Sequence, residues 1–205
     1  MKHFLFFIVF LCTGFLLKAQ LDTTNPVVKD ILLFQADLNK EFKDSTKSPL
    51  RDSVRRAFVK HAYFPINLKY CVEAKLVVTP DEVAFPMITT SKSRPSYRKY
   101  GEVHFKLKGK AHQLNVYQSI DLSKFDGYRD YIFIPFTDLT SGDESYEGGR
   151  YIDLRIPKGN TIVVDFNKAY NPYCAYAKQF SCPIPPAENS LKVRIEAGVL
   201  KPDHH

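Results

Sequence analysis

The chain has 205 residues, with 29 Lys and Arg against 22 Asp and Glu and a formal net charge of +7. It is 44% hydrophobic and 14% aromatic, with 16 Phe, 12 Tyr and no Trp. This length suits one domain with a sizeable core. The basic residues are scattered, and the short clusters at 51–56 and 92–99 lack the density of a nucleic-acid arm, so no nucleic-acid partner is expected.

Lys2 and His3 precede an apolar run over 4–17. A basic start and a run of about fourteen apolar residues predict a secretory signal peptide over 1–20. The run is short for a membrane span, which needs roughly twenty residues. Cleavage is expected near Ala19 or Gln20, with Cys12 discarded. The mature chain then carries a charge of +5, spans 21–205 as a single β-rich domain, keeps no transmembrane segment and works in the periplasm or outside the cell.

Two helices open the mature chain. Asn25 suits an N-cap and Pro26 the first helical position, and Val27, Ile31, Phe34, Leu38 and Phe42 form one apolar stripe. Ser48 and Pro49 repeat the signal before Leu50, Val54 and Phe58. From Pro65 the period becomes two. Tyr70, Val72, Ala74, Leu76 and Val78 share one strand face, and Pro86 marks 84–89 as an edge strand or bulge. Segment 91–97 reads as loop. Val103, Phe105 and Leu107 define a further strand, Gly109 turns the chain, and 113–119 runs back. The continuous apolar run 131–136 predicts a strand buried on both faces. Ile152, Leu154 and Ile156 alternate with Tyr151, Asp153 and Arg155, and 161–166 follows after Pro157 and Gly159 as the second arm of a hairpin. Leu191, Val193, Ile195 and Ala197 predict the last strand. About eight strands without βαβ alternation give a mainly β (α+β) fold, a largely antiparallel sandwich or barrel with two N-terminal helices.

Segment 165–186 has no helical or strand period. It holds two cysteines, four prolines and three tyrosines, so something other than regular hydrogen bonding must fix it. In an oxidising compartment Cys174 and Cys182 are expected to bridge, contributing roughly 2.5 to 3 kcal/mol. No histidine or CxxC spacing lies nearby, and neither a metal nor a cofactor is expected. Cys71 is left as a free thiol on the less apolar strand face. The polar loop 140–150 carries Asp143, Glu144, Glu147, Gly148 and Gly149 and reads as a solvent-exposed turn without an EF-hand ladder.

The strings FTDLTSGDESYEGGRYIDL, VDFNKAYNPYCAY and CPIPPAENSLKVRIEAG resemble the bacterial domain-of-unknown-function family 1684. The resemblance covers 136–198 and extends more loosely from about Phe34. It implies a single domain built around these motifs and no catalytic mechanism.

Asp165 interrupts an apolar run and, if it points inward, needs a partner; Arg150 is the candidate. Asn167, Tyr170, Asn171 and Tyr173 add amide and phenol groups suited to a polar ligand, or to their own loop backbone. No GxSxG elbow, HExxH or phosphate-cradling loop occurs, and His61, His104, His112, His204 and His205 all lie outside the motif segment. The leading expectation is a binding or interaction module for a small polar or carbohydrate-like ligand, with Arg150, Asp165, Asn167, Tyr170, Asn171 and Tyr173 lining its pocket. The alternatives are a hydrolase using Asp165 and Glu144, or a purely structural motif. Two carboxylates in one cleft, aromatics around a cavity, or polar groups buried against each other distinguish the three.

Overall fold

The structure, a computed structural model, describes residues 21–202; the predicted signal peptide, Cys12, His204 and His205 lie outside them. Helix α1 spans Pro26–Lys43, and Asn25 caps it by accepting from the Val27 N–H at 2.9 Å. Its inward face is Val28, Ile31 and Phe42, with Phe34 and Leu38 half-buried; Val27 faces solvent. The second helix, α2, is only Asp52–Ala57 and buries nothing. The Ser48 hydroxyl does accept the Leu50 N–H, but the helix starts later and Val54 is exposed. Of the predicted second stripe Leu50 and Phe58 are half-buried, and Phe58, just past the helix, packs on Phe42 and His61 with ring centres 5.7 and 5.0 Å away. No helix among the described residues is long and apolar enough to cross a membrane.

Seven strands follow: β1 Cys71–Val78, β2 Phe85–Pro86, β3 Ser96–Leu107, β4 Lys110–Ser119, β5 Tyr131–Phe136, β6 Arg150–Arg155 and β7 Thr161–Asp165. They form one antiparallel sheet in the order β6-β5-β4-β3-β1-β7, with β2 on the side of β3. The sheet curls into a half-barrel, so the fold is mainly β with two helices. The β3–β4 turn is Lys108 and Gly109, both at positive φ, which matches the twist of the flanking strands.

The sheet buries both faces over β5. Ile132, Ile134 and Phe136 join Val72, Leu76, Val103 and Leu114 in the main core, while Phe133 turns to a second cluster with Met87, Tyr117, Tyr151 and Cys182. That is why 131–136 reads as unbroken apolar sequence. The main core is closed by Phe166, Ala169, Leu191, Ile195 and Ala197.

The chain departs from its sequence pattern in two places. The stretches 151–156 and 161–166 are not a hairpin: β6 pairs with β5, and β7 pairs with β1, at opposite edges of the curled sheet. Period two reports which side chains face the core but not which strand lies alongside. Segment 191–197 alternates in burial yet joins no strand ladder. It bonds the main chain of Thr137 and Leu139, and its remaining backbone partners are side chains, Asp138 and Arg150 from the motif and Tyr70 and Lys108 from outside it.

Candidate functional site

Arg150 is fully buried, at 0% exposure, and its guanidinium stands in for the missing neighbouring strand. Nη1 donates to the Ala197 carbonyl at 2.5 Å, and Nη2 donates to the Ile195 carbonyl at 3.0 Å and to Asp138 Oδ1 at 3.1 Å. Asp138 returns the pattern, its Oδ2 accepting the Ile195 N–H at 2.7 Å and the Thr140 N–H at 3.1 Å. The guanidinium lies 5.4 Å from the Phe136 ring centre and 5.8 Å from that of Phe64. The anticipated Arg150–Asp165 pair is therefore replaced by Arg150–Asp138. Asp165 instead accepts from the Asn167 backbone and side-chain N–H groups at 3.0 and 2.8 Å.

The motif asparagines act in the same way. Asn167 exchanges amide hydrogen bonds with the Asn67 backbone at 2.9 and 3.1 Å. Asn171 donates to the Leu200 carbonyl at 2.9 Å. Asn189 sits between β4 and β5, which share a single ladder pair, Tyr117 with Phe133. Its carboxamide accepts the Asn115 N–H at 2.8 Å and donates to the carbonyls of Asn115 and Pro135 at 2.9 and 2.7 Å. It thus completes a ladder that diverges next to a proline lacking an N–H. Gly149 lies at φ 86°, and a Cβ there would meet the Phe136 carbonyl at 2.5 Å. The 140–150 loop is not a free turn, since Thr140, Ser145 and Arg150 are all at 0% exposure.

The expected Cys174–Cys182 disulfide is also corrected: both residues are free thiols. They stay adjacent, with the Cys174 N–H donating to Cys182 Sγ at 3.2 Å. Thr90 already clamps the loop, its hydroxyl accepting the Cys182 N–H at 3.1 Å and its own N–H reaching the Cys182 carbonyl at 2.9 Å. A hydrogen bond from Cys182, opposed by burial, lowers the Cys174 thiol to about 7, while burial and the Asp165 carboxylate push Cys71 up to about 11. Among the described residues no three His, Cys, Asp or Glu gather to hold a metal.

A cleft of about 470 Å³ opens between α1, β6 and the segment 170–182. One wall is the face of α1 carrying Phe34, Asp37, Leu38 and Glu41, positions three and four apart. Tyr151 and Asp153 of β6 form the floor, and Tyr170, Tyr173, Phe180 and Cys182 form the opposite wall. The rings stand at steep angles: Tyr151 and Tyr170 are 6.0 Å apart at 82°, and Tyr173 and Phe180 are 5.1 Å apart at 68°.

Asp153 is reached by solvent through the cleft but crowded by protein. Tyr170 and Tyr131 both donate to its Oδ1, at 2.7 and 2.8 Å. Burial holds its carboxyl above the ordinary carboxylate range, with these two hydrogen bonds and Arg155 pulling the other way. Burial and the neighbouring carboxylate raise Tyr170 and Tyr131, so both remain O–H donors. Tyr173 donates to Glu41.

Of the six anticipated ligand residues, Tyr170 and Tyr173 reach the cleft. Arg150, Asp165, Asn167 and Asn171 are interior, and they fix the irregular C-terminal backbone. The anticipated catalytic pair is apart: Asp165 is buried beside Asn167, and Glu144 pairs with the exposed Arg194. Sequence reading missed Asp37, Glu41 and Asp153. The one signal available was that two acids share the apolar stripe of α1 with Phe34 and Leu38.

The model of the family described as "Protein of unknown function (DUF1684)" matches residues 56–200, which begins later than the loose resemblance from Phe34. Among solved structures, the chain is similar to the solution NMR structure of the uncharacterized protein from gene locus rrnAC0354 of Haloarcula marismortui. The two are 31% identical, with a TM-score of 0.67, and the match covers 86% of this chain and 95% of that one. No curated protein matches the chain. With well over half of its length under the family model, the chain belongs to the DUF1684 family.

Proposed function

We propose that the protein is a binding module for a small polar ligand, held in the cleft between α1, β6 and segment 170–182. The observation that carries this reading is the convergence of aromatic rings and three carboxylates, from three segments remote in sequence, around one concave volume of about 470 Å³. Pockets of this size and mixed lining are the usual form of small-molecule sites. The motif residues Asp165, Asn167 and Asn171 serve this site indirectly, by fixing the backbone that presents Tyr170 and Tyr173, and Arg150 holds segment 195–199, whose Val199 N–H bonds the Ala169 carbonyl. The basic, apolar segment 2–17 supports export of the module to the periplasm or beyond.

Saturation-transfer NMR on a set of small polar compounds, with the wild type and Ser181→Trp, tests the reading. Ser181 is exposed on the cleft rim, so the indole fills the volume without entering the core. At least one compound should bind the wild type and not the variant. Binding that survives the substitution, or no binding, overturns the reading.

One observation favours a second reading, a carboxylate-dependent hydrolase. Asp153, whose carboxyl burial holds above the ordinary carboxylate range, faces the same cleft as the Glu41 carboxylate, and two carboxylates in one cleft are the pairing that acid–base hydrolysis uses. Turnover of chromogenic glycosides or esters that disappears in Asp153→Asn supports it, and no turnover between pH 5 and 8 ends it.

A further inference from the structure

The cleft's wall is chemically one-sided. Each of its O–H groups is committed to an acceptor within the protein. Tyr170 donates to Asp153 and Tyr173 to Glu41. Tyr151 donates to the Pro183 carbonyl, and Ser181 to Thr89 Oγ1 at 2.8 Å. Among the described residues no lysine or arginine lines the volume. Arg155, the cation nearest in sequence to Asp153, is engaged by Asp130 at 2.7 Å and the Gly127 carbonyl at 2.5 Å. What the wall offers an incoming molecule is therefore acceptor lone pairs on Asp37, Glu41 and Asp153, together with aromatic faces. This happens in a chain whose overall charge is +7, so the cleft's negative character is local and runs against the composition.

Ligand classes differ in how they meet such a wall. An anion is repelled by three carboxylates. A neutral polyol presents donors and acceptors in equal measure, and its acceptors would find no free donor here, which costs affinity. The charged head of an organic cation presents N–H or N–CH₃ groups and no acceptor. Its charge is attracted by the carboxylates, and the electron-rich ring faces stabilise it further when water is excluded. The near-perpendicular rings of Tyr151 and Tyr170, and of Tyr173 and Phe180, supply faces from more than one direction.

We infer that the cleft takes an organic cation, a small ammonium or guanidinium compound seated among Phe34, Tyr151, Tyr170, Tyr173 and Phe180 and neutralised by Asp153 and Glu41. This inference rests on the reading of the cleft as the binding site and names the class of its ligand.

The test is calorimetric titration at physiological ionic strength with choline, L-arginine amide and spermidine. Choline's uncharged isostere 3,3-dimethylbutan-1-ol serves as the shape control, and glucose and N-acetylglucosamine as neutral polyols. At least one cation should bind, with choline preferred over its isostere by about tenfold or more if charge is recognised. Asp153→Asn and Glu41→Gln keep each tyrosine's acceptor while removing the charge, and together they should weaken cation binding by a further tenfold or so. If choline and its isostere bind equally, or if the sugars bind and the cations do not, the cation inference is overturned and the cleft reading stands. If no probe binds, or if cations bind Ser181→Trp as well as the wild type, both fall.

Discussion

Replacing Arg150 by Met is the perturbation with the largest expected effect on the fold. Methionine fills similar apolar volume between Phe64 and Phe136 but leaves Asp138 as a buried carboxylate without its cation. Breaking a buried ion pair from one side costs about 3–5 kcal/mol. The Ile195 and Ala197 carbonyls lose their guanidinium donor as well, at about 1–3 kcal/mol each where no water replaces it. These losses share one site and do not add fully, so a total of about 4–6 kcal/mol is expected, a large part of the 5–15 kcal/mol typical of a domain. In urea, with a slope of about 2 kcal/mol/M, the midpoint should fall by about 2 M or more. Adding Asp138→Asn to Arg150→Met should recover about 1 kcal/mol or more, because it removes the stranded charge. Amides in 191–199 should exchange faster in the single variant. A loss below about 1 kcal/mol, or no recovery in the double variant, would refute the claim that this pair substitutes for a strand.

Other expectations follow from single residues. Asn189→Leu should cost about 3 kcal/mol by thermal or urea unfolding, since it orphans three buried backbone groups, and an effect within experimental error would contradict the ladder role. Burial pulls His61 down to about 4 from 6.5, so on acidification the unfolded chain takes up this proton first. Stability should therefore drop by roughly 2–3 kcal/mol from pH 6.5 to 4, and His61→Gln should flatten that part of the stability–pH curve. At pH 7.5 Cys174, near 7, should react with iodoacetamide well before Cys71, near 11. Equal rates, or an inert Cys174, would count against the free-thiol arrangement.

Much of the sheet is legible from alternation and β-branched runs, and β5 stands out because Phe133 faces a second cluster while its neighbours face the first. Alternation misleads in two places for one reason. It reports facing, whereas pairing depends on what the rest of the chain brings alongside. Thus β6 and β7, adjacent in sequence, end on opposite sheet edges, and 191–197 alternates against side chains rather than against a strand. The irregular segment 165–186 does need a special device, as its composition implies. That device is a set of buried amides and cross-chain backbone bonds instead of a disulfide: Asp165 and Asn167 fix its start against Asn67, Asn171 ties it to Leu200, Tyr170 exchanges main-chain bonds with Tyr151, and Thr90 clamps Cys182. The motif is conspicuous in sequence for this structural task. The cleft is inconspicuous because its acids sit in ordinary elements remote from each other in sequence: Asp37 and Glu41 border the apolar stripe of a helix, and Asp153 looks like the polar side of a strand.

The cleft's role as the binding site is tested most directly by amide chemical-shift mapping of the labelled protein titrated with choline chloride and, in parallel, with N-acetylglucosamine. Choline should shift saturably the amides of Phe34 to Glu41, Tyr151 to Asp153, Tyr170 to Tyr173 and Phe180 to Cys182, and leave those around Arg194 and Glu144 in place. Saturable shifts that cluster elsewhere, or no shift from either compound, would contradict the assignment of this cleft as the functional site.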